Sequence, residues 1–205
     1  MPFLWAASLE VCWESPPTVR FGWFPEVSSR SFVLQPFPEA CQGSLLNISG
    51  EISRISSRLV IHYELFGNLT EVVIPVQADM PVRKNGLWEE TCFELFIAEN
   101  NSSRYREFNL SPTGHWNVFR FAAYRKGMQE DMAIGSLPLI VRRQSITLSL
   151  SLEINLDRVF RRDQALEVGI SAVIKQCDGM MSYWSLSHPG PQADFHRRDG
   201  FLIEL

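Results

Sequence analysis

The segment ITLSLSLEI at 146–154 sets Ile146, Leu148, Leu150 and Leu152 against Thr147, Ser149 and Ser151. Successive strand side chains point to opposite sides of a sheet, so this alternation suits a strand with one buried face. RLVIHYELF at 58–66 repeats the pattern with Leu59, Ile61, Tyr63 and Leu65, and LEVGISAVI at 166–174 is apolar enough for a central strand. Further strand candidates are 45–53, 71–76, 91–98, 104–110, 116–123, 181–186 and 200–205. Turn material bounds them: Gly67-Asn68, Asn85-Gly86, Asn100-Asn101, Pro112-Thr113-Gly114, Asp178-Gly179 and Pro189-Gly190. About ten short strands without intervening amphipathic helices predict an all-β fold, an antiparallel β-sandwich of immunoglobulin- or jelly-roll-like type. Only NLDRVFRRDQA, 155–165, suggests a short helix or turn, with Asn155 or Asp157 as its cap.

Residues 1–30 break the pattern. They hold Trp5, Trp13 and Trp23 and the pair Pro16-Pro17 but no sustained period. The reading is an N-terminal extension over 1–30, poorly ordered, followed by one sandwich domain over 31–205. The formal charge of −4 and the scattered Lys and Arg argue against a nucleic-acid partner. No apolar run approaches the roughly 20 residues that span a bilayer. Cys12, Cys41, Cys92 and Cys177 are too widely spaced for a CxxC metal or redox motif, and they read as free thiols in a reducing compartment. The start, MPFLWAASLEVCWESPP, has no Lys or Arg, and Glu10 interrupts its apolar part. It therefore does not read as a secretory signal, and a cytoplasmic location is expected. The sequence leaves the oligomeric state open.

The strands between 88 and 122 carry the chemistry. Over 91–98, Thr91, Phe93, Leu95 and Ile97 form the better core face, which turns Glu94 away from it. Over 105–110, Phe108 and Leu110 belong to a core, leaving Tyr105, Glu107 and Asn109 outside. Over 116–122, Phe119 and Phe121 suit the core, which would put Trp116 and Arg120 with the polar set. Consecutive strands joined by short turns usually neighbour one another. The expectation is one outer patch of Glu94, Glu107, Asn109, Arg120, Tyr105 and Trp116. Carboxylate, amide and guanidinium groups exchange hydrogen bonds with sugar hydroxyls, and aromatic rings cover the apolar face of a pyranose. The same set could equally be a structural ion network across neighbouring strands.

Four blocks in order, LWEETCFELFI (87–97), YREFNLSPTGHW (105–116), FAAYRKGM (121–128) and DGMMSYWSLSHPGPQADFHRRDGF (178–201), resemble the DOMON-like domain proteins. Ser111-Pro112-Thr113-Gly114 stands where that family usually reads S-P-S-G, a departure that preserves the turn. The resemblance covers about 31–205 and implies a β-sandwich related to family 9 carbohydrate-binding modules. It implies binding of haem or sugars more than any particular activity. Haem-binding relatives use axial Met and His ligands, a pair that the motif blocks do not place here.

Other constellations carry less. SHPGPQADFHRRD at 187–199 gathers His188, Asp194 and His196, which could supply polar groups to the rim of a site. The spacing of its histidines is outside the usual short metal-ligand patterns, so no metal is expected. Cys92 reads as a buried structural thiol, and Trp88 and Trp184 as core or hinge aromatics. The leading expectation is a non-enzymatic module that binds a small molecule or glycan, a carbohydrate on one sheet face, without a cofactor. The alternatives are a haem-binding electron-transfer domain, glycoside hydrolase-like activity from the glutamate pair, and a protein-interaction domain using a sheet edge.

Overall fold

The computed structural model describes residues 27–38 and 45–205. Its strands are β1 (Val27–Val33), β2 (Gln35–Pro36), β3 (Asn47–Ile55), β4 (Arg58–Phe66), β5 (Cys92–Glu99), β6 (Tyr105–Leu110), β7 (Trp116–Phe121), β8 (Gln129–Glu130), β9 (Leu139–Arg143), β10 (Thr147–Asn155), β11 (Leu166–Lys175), β12 (Met181–Ser185) and β13 (Ile203–Glu204). They form two antiparallel sheets. The smaller has the order β1-β3-β4-β10-β9; the larger runs β2-β12-β11-β5-β6-β7-β8, with β13 pairing with β11. The described chain has no α-helix and only single 3-10 turns. It is the expected antiparallel sandwich.

Alternation builds the core. Ile61, Tyr63 and Leu65 of β4 and Leu148, Leu150 and Leu152 of β10 meet Phe93, Leu95 and Ile97 of β5, Phe108 and Leu110 of β6, and Val168, Ile170 and Ala172 of β11. Burying a side chain of this size stabilises the fold by roughly 1.5–3 kcal/mol. Tyr63 is fully buried between the rings of Phe32 and Phe93. Its hydroxyl donates across the core to the Glu94 carbonyl at 2.9 Å, which ties the two sheets together beneath the position that matters below.

Several boundaries differ from the sequence reading. Strand β1 starts at Val27 and pairs with β3, so the smaller sheet includes residues 27–30. Trp5, Cys12, Trp13, the Pro16-Pro17 pair, Trp23 and Cys41 lie outside the described residues. The candidate strand 71–76 is a 3-10 turn over Leu69–Glu71 followed by a single bridge from Val72 to Gln176. Pro75 has no N–H to continue a ladder there. The segment 155–165 is a turn. Asn155 Oδ1 accepts the Asp157 N–H at 2.8 Å, and the Leu156 carbonyl accepts those of Val159 and Phe160. The buried Arg54 guanidinium donates to the carbonyls of Arg161 and Arg162, both at 3.0 Å.

The larger sheet is covered on both faces. Its outer side carries a second cluster of Phe96, Ala98, Tyr105, Phe119, Phe121 and Phe201, with Trp88 and Phe195 packed against it. Gly169 on β11 makes room for this roof: a Cβ there would stand 2.7 Å from Phe201 Cδ1.

Candidate functional site

The register of the larger sheet fixes what its outer face presents. Ser171 pairs with Glu94, and Glu94 with Asn109. In the next row Phe96 pairs with Glu107, and Glu107 with Phe119. Glu94 and Glu107 are thus diagonal neighbours on adjacent strands and on the same face, their stems roughly 7–8 Å apart. Both are nearly inaccessible, at 3% and 5% exposure.

Strand β7 runs opposite to the sequence reading. Leu110 pairs with Trp116 and Phe108 with Val118, so Trp116 and Val118 look into the core. Trp116 is 5% exposed and lies under the Arg83 guanidinium, 4.5 Å from its centroid. Arg120 projects to solvent and donates to Gln129 Oε1 at 2.8 Å. Neither belongs to the patch around Glu94 and Glu107. Phe119 and Phe121 take the outer side instead, because loops roof that face and aromatic residues are at home there.

Those loops make a cleft. Its volume is about 390 Å³, near the lower end of the roughly 300–1,000 Å³ typical of small-molecule sites. Glu94 and Glu107 line it together with Trp88, Tyr183, Phe195 and Arg125. Trp88 stands on the 3-10 turn Leu87–Glu89, which Gly86 starts with a left-handed φ of 72° that favours glycine. Phe195 and His196 come from the 187–199 loop, and Arg125 from the turn after β7. Trp88, assigned to core or hinge from the sequence, lines the cleft; Trp184 is in the core.

One side-chain hydrogen bond from a neighbour on the same face holds each carboxyl. Ser171 Oγ donates to Glu94 Oε2 at 3.0 Å, and Asn109 Nδ2 to Glu107 Oε1 at 2.8 Å. Glu94 Oε1 and Glu107 Oε2 accept no hydrogen bond from the described residues. Burial pushes the Glu94 carboxyl up to about 8, the negative charge of Glu107 adds to the rise, and Ser171 and Arg125 offset part of it. Burial also raises Glu107, against the Asn109 hydrogen bond and the Arg125 charge.

Tyr105, expected in the outer patch, is buried in the aromatic cluster and does not line the cleft. Its ring stacks on Phe121 at 4.7 Å, and its hydroxyl accepts the Arg125 N–H at 3.1 Å. That hydroxyl also lies 2.8 Å from His196 Nδ1, and His196 Nε2 stands 3.8 Å from Glu107 Oε2. Burial, followed by the Arg125 charge, holds His196 down at about 4. Asp194 pairs with Arg125 at 2.8 Å and accepts from Tyr124. His188 is elsewhere: its Nε2 donates to the Gln35 carbonyl at 2.8 Å, with Phe37 edge-on to its ring.

Met128 and His196 both border the cleft, yet the arrangement does not fit haem. His196 Nδ1 is engaged by the Tyr105 hydroxyl at 2.8 Å, and a porphyrin would lie over two buried carboxyls. Among the described residues no group of three or more His, Cys, Asp or Glu side chains could hold a metal ion. No helix among them is long and apolar enough to cross a membrane.

No protein-family model matches the chain, and no curated protein matches it. A solved structure does: a protein from Bacteroides uniformis ATCC 8492, assigned as carbohydrate-binding, superposes with a TM-score of 0.65 at 14% identity, over 85% of this chain and 84% of that one. The likeness is one of fold. Two structures of a family 9 carbohydrate-binding module from Caldicellulosiruptor kristjanssonii are more distant. The glucose complex gives a TM-score of 0.43 at 10% identity, over 71% of this chain and 69% of that one. The cellotriose complex gives 0.46 at 9% identity, over 77% and 72%.

Proposed function

We propose that this chain is a non-enzymatic ligand-binding module of DOMON-like type, and that it holds a carbohydrate or a similar polyhydroxylated molecule in the cleft over β5 and β6. The observation that carries this reading is the pair of free carboxyl oxygens, Glu94 Oε1 and Glu107 Oε2, in the floor of an aromatic-walled cleft. At neutral pH the raised Glu94 is largely a carboxylic acid, so the two side chains can offer one donor and several acceptors. A sugar hydroxyl both donates and accepts, and adjacent hydroxyls match such a mixed pair. Trp88, with Phe195 and Tyr183 beside it, offers flat apolar surface to the C–H face of a pyranose. The B. uniformis protein, alike in fold and assigned as carbohydrate-binding, supports the reading.

The test is a glycan array probed with the full chain and two variants, Trp88→Ala and Glu107→Gln. The expected result is selective glycan binding by the parent, lost in both variants while each still unfolds cooperatively on heating. Binding that survives both substitutions would place the ligand elsewhere.

A further inference from the structure

Charge accounting around the cleft narrows the ligand class. Among the described residues, no cationic side chain lies within salt-bridge distance of Glu94, and the nearest to Glu107 is His196, 3.8 Å away and neutral at physiological pH. Arg125 lines the same cleft but is engaged by Asp194 through Nε and Nη2, with a third hydrogen bond on that carboxylate from Tyr124. The remaining titratable groups facing the pair bring no positive charge. They are Cys92 on β5, Tyr105 on β6 and Tyr183 on β12, with the Tyr63 hydroxyl beneath the Glu94 carbonyl. On β11, Lys175 is bound to Glu90 at 2.6 Å. Among the described residues, the one cationic side chain whose charge reaches the two carboxyls is Arg125, itself paired with Asp194, and it offsets only part of the effect of burial; a pair so placed relieves its repulsion by keeping a proton. The walls above them are aromatic: Trp88, Phe121, Tyr183 and Phe195. Aromatic faces over buried carboxyls are the surroundings that stabilise a desolvated ammonium group.

We propose that the cleft selects saccharides bearing a protonated amine, amino sugars, over their neutral counterparts. This rests on the carbohydrate reading and adds a charge to it. The ammonium group lies against Glu94 Oε1 and Glu107 Oε2 and takes the place of the proton the pair otherwise holds. That proton leaves to solvent, so binding releases up to one proton per ligand near pH 7. An N-acetylated sugar of the same ring has no charge to offer and leaves the proton where it is.

The test is isothermal titration calorimetry of the full chain with glucosamine, glucose, N-acetylglucosamine and cyclohexylamine, in two buffers of different ionisation enthalpy. Glucosamine is expected to bind about tenfold or more tightly than either neutral sugar, with proton release that depends on Glu94. Glu94→Gln, which keeps side-chain volume, should bring glucosamine down to the level of glucose and abolish the release, and Glu107→Gln should abolish binding of both, as on the array. Equal affinity for the three sugars overturns the amino-sugar assignment and leaves the carbohydrate reading standing. Binding of cyclohexylamine as tight as that of glucosamine overturns the carbohydrate reading and keeps the cation. If none of the four binds, both fail.

Discussion

The outer faces of the two sheets differ in kind. On the smaller sheet, burial alternates residue by residue along β4 and β10, and the outward side chains are mostly polar, Ser149, Ser151, Glu153, His62 and Glu64 among them. Their contacts are pairs of small consequence, such as Arg58 with Glu153 and His62 with Ser151. On the larger sheet, β5 is buried along nearly its whole length, because one side faces the sandwich core and the other faces a roof of loops and aromatic rings. A roofed face could be wholly apolar at no loss to the fold. This one keeps two glutamates under the roof, and desolvating a carboxylate is costly. In the proposed function the roofed pair serves ligand binding, whereas the polar residues of the smaller sheet keep the protein hydrated.

The contrast can be broken at four points. If the roof is a true second core, Phe96→Ala should lower stability by about 3–5 kcal/mol in a denaturant titration, as much as Phe108→Ala on the opposite face of the sheet. A loss below about 1 kcal/mol would mean the roof packs loosely.

The second point is pH. Glu94 titrates at about 8 in the folded chain, above its ordinary value of 4.5, so the unfolded chain holds fewer protons between those values. Its stabilising contribution is full at low pH and is lost as pH rises toward 8, with a slope approaching about 1.4 kcal/mol per pH unit. His196 has the opposite sign: depressed from 6.5 to about 4, it destabilises the fold as pH falls through that interval. The Glu94 effect is therefore read most cleanly between pH 6.5 and about 8. Glu94→Gln should flatten that limb of the stability profile, and an unchanged limb would contradict the account.

A smaller effect is expected at Trp88. Its half-buried ring packs edge-on against Phe119 at 5.8 Å, and Trp88→Phe should weaken ligand binding about tenfold, or ~1.4 kcal/mol, with little change in melting temperature. The smallest effect is the control on the other sheet. Ser149→Ala should shift stability by no more than about 0.5 kcal/mol and leave binding untouched.

How much the residues revealed follows the same division. Where one face is solvated, as on β4 and β10, polarity alternates cleanly and the strands are plain from the sequence. The parity of β5 and β6 was also legible, because Phe93, Leu95 and Phe108 outweigh the glutamates opposite them. On β7 the rule inverted. Phe119 and Phe121 look like core residues, and they are buried, but under the roof; hydrophobic parity cannot separate two buried faces. Trp116 went to the wrong side for that reason. Strands β1 and β9 escaped notice because they lie at the edges of the smaller sheet, where Ser28, Ser29, Arg142 and Arg143 blur the alternation. Trp88, Arg125 and Phe195 sit on turns and loops, where no period applies. Their one signal was proximity in sequence to Glu94, Phe121 and His196.

In the proposed function Glu94 Oε1 and Glu107 Oε2 form the polar floor of a saccharide site. The most direct test is a crystal of the full chain soaked in a mixture of monosaccharides that includes glucosamine. The account predicts a sugar ring over Trp88, with an amine or hydroxyl within hydrogen-bond distance of both oxygens. A sugar bound on another surface, with the cleft holding only water, would contradict it.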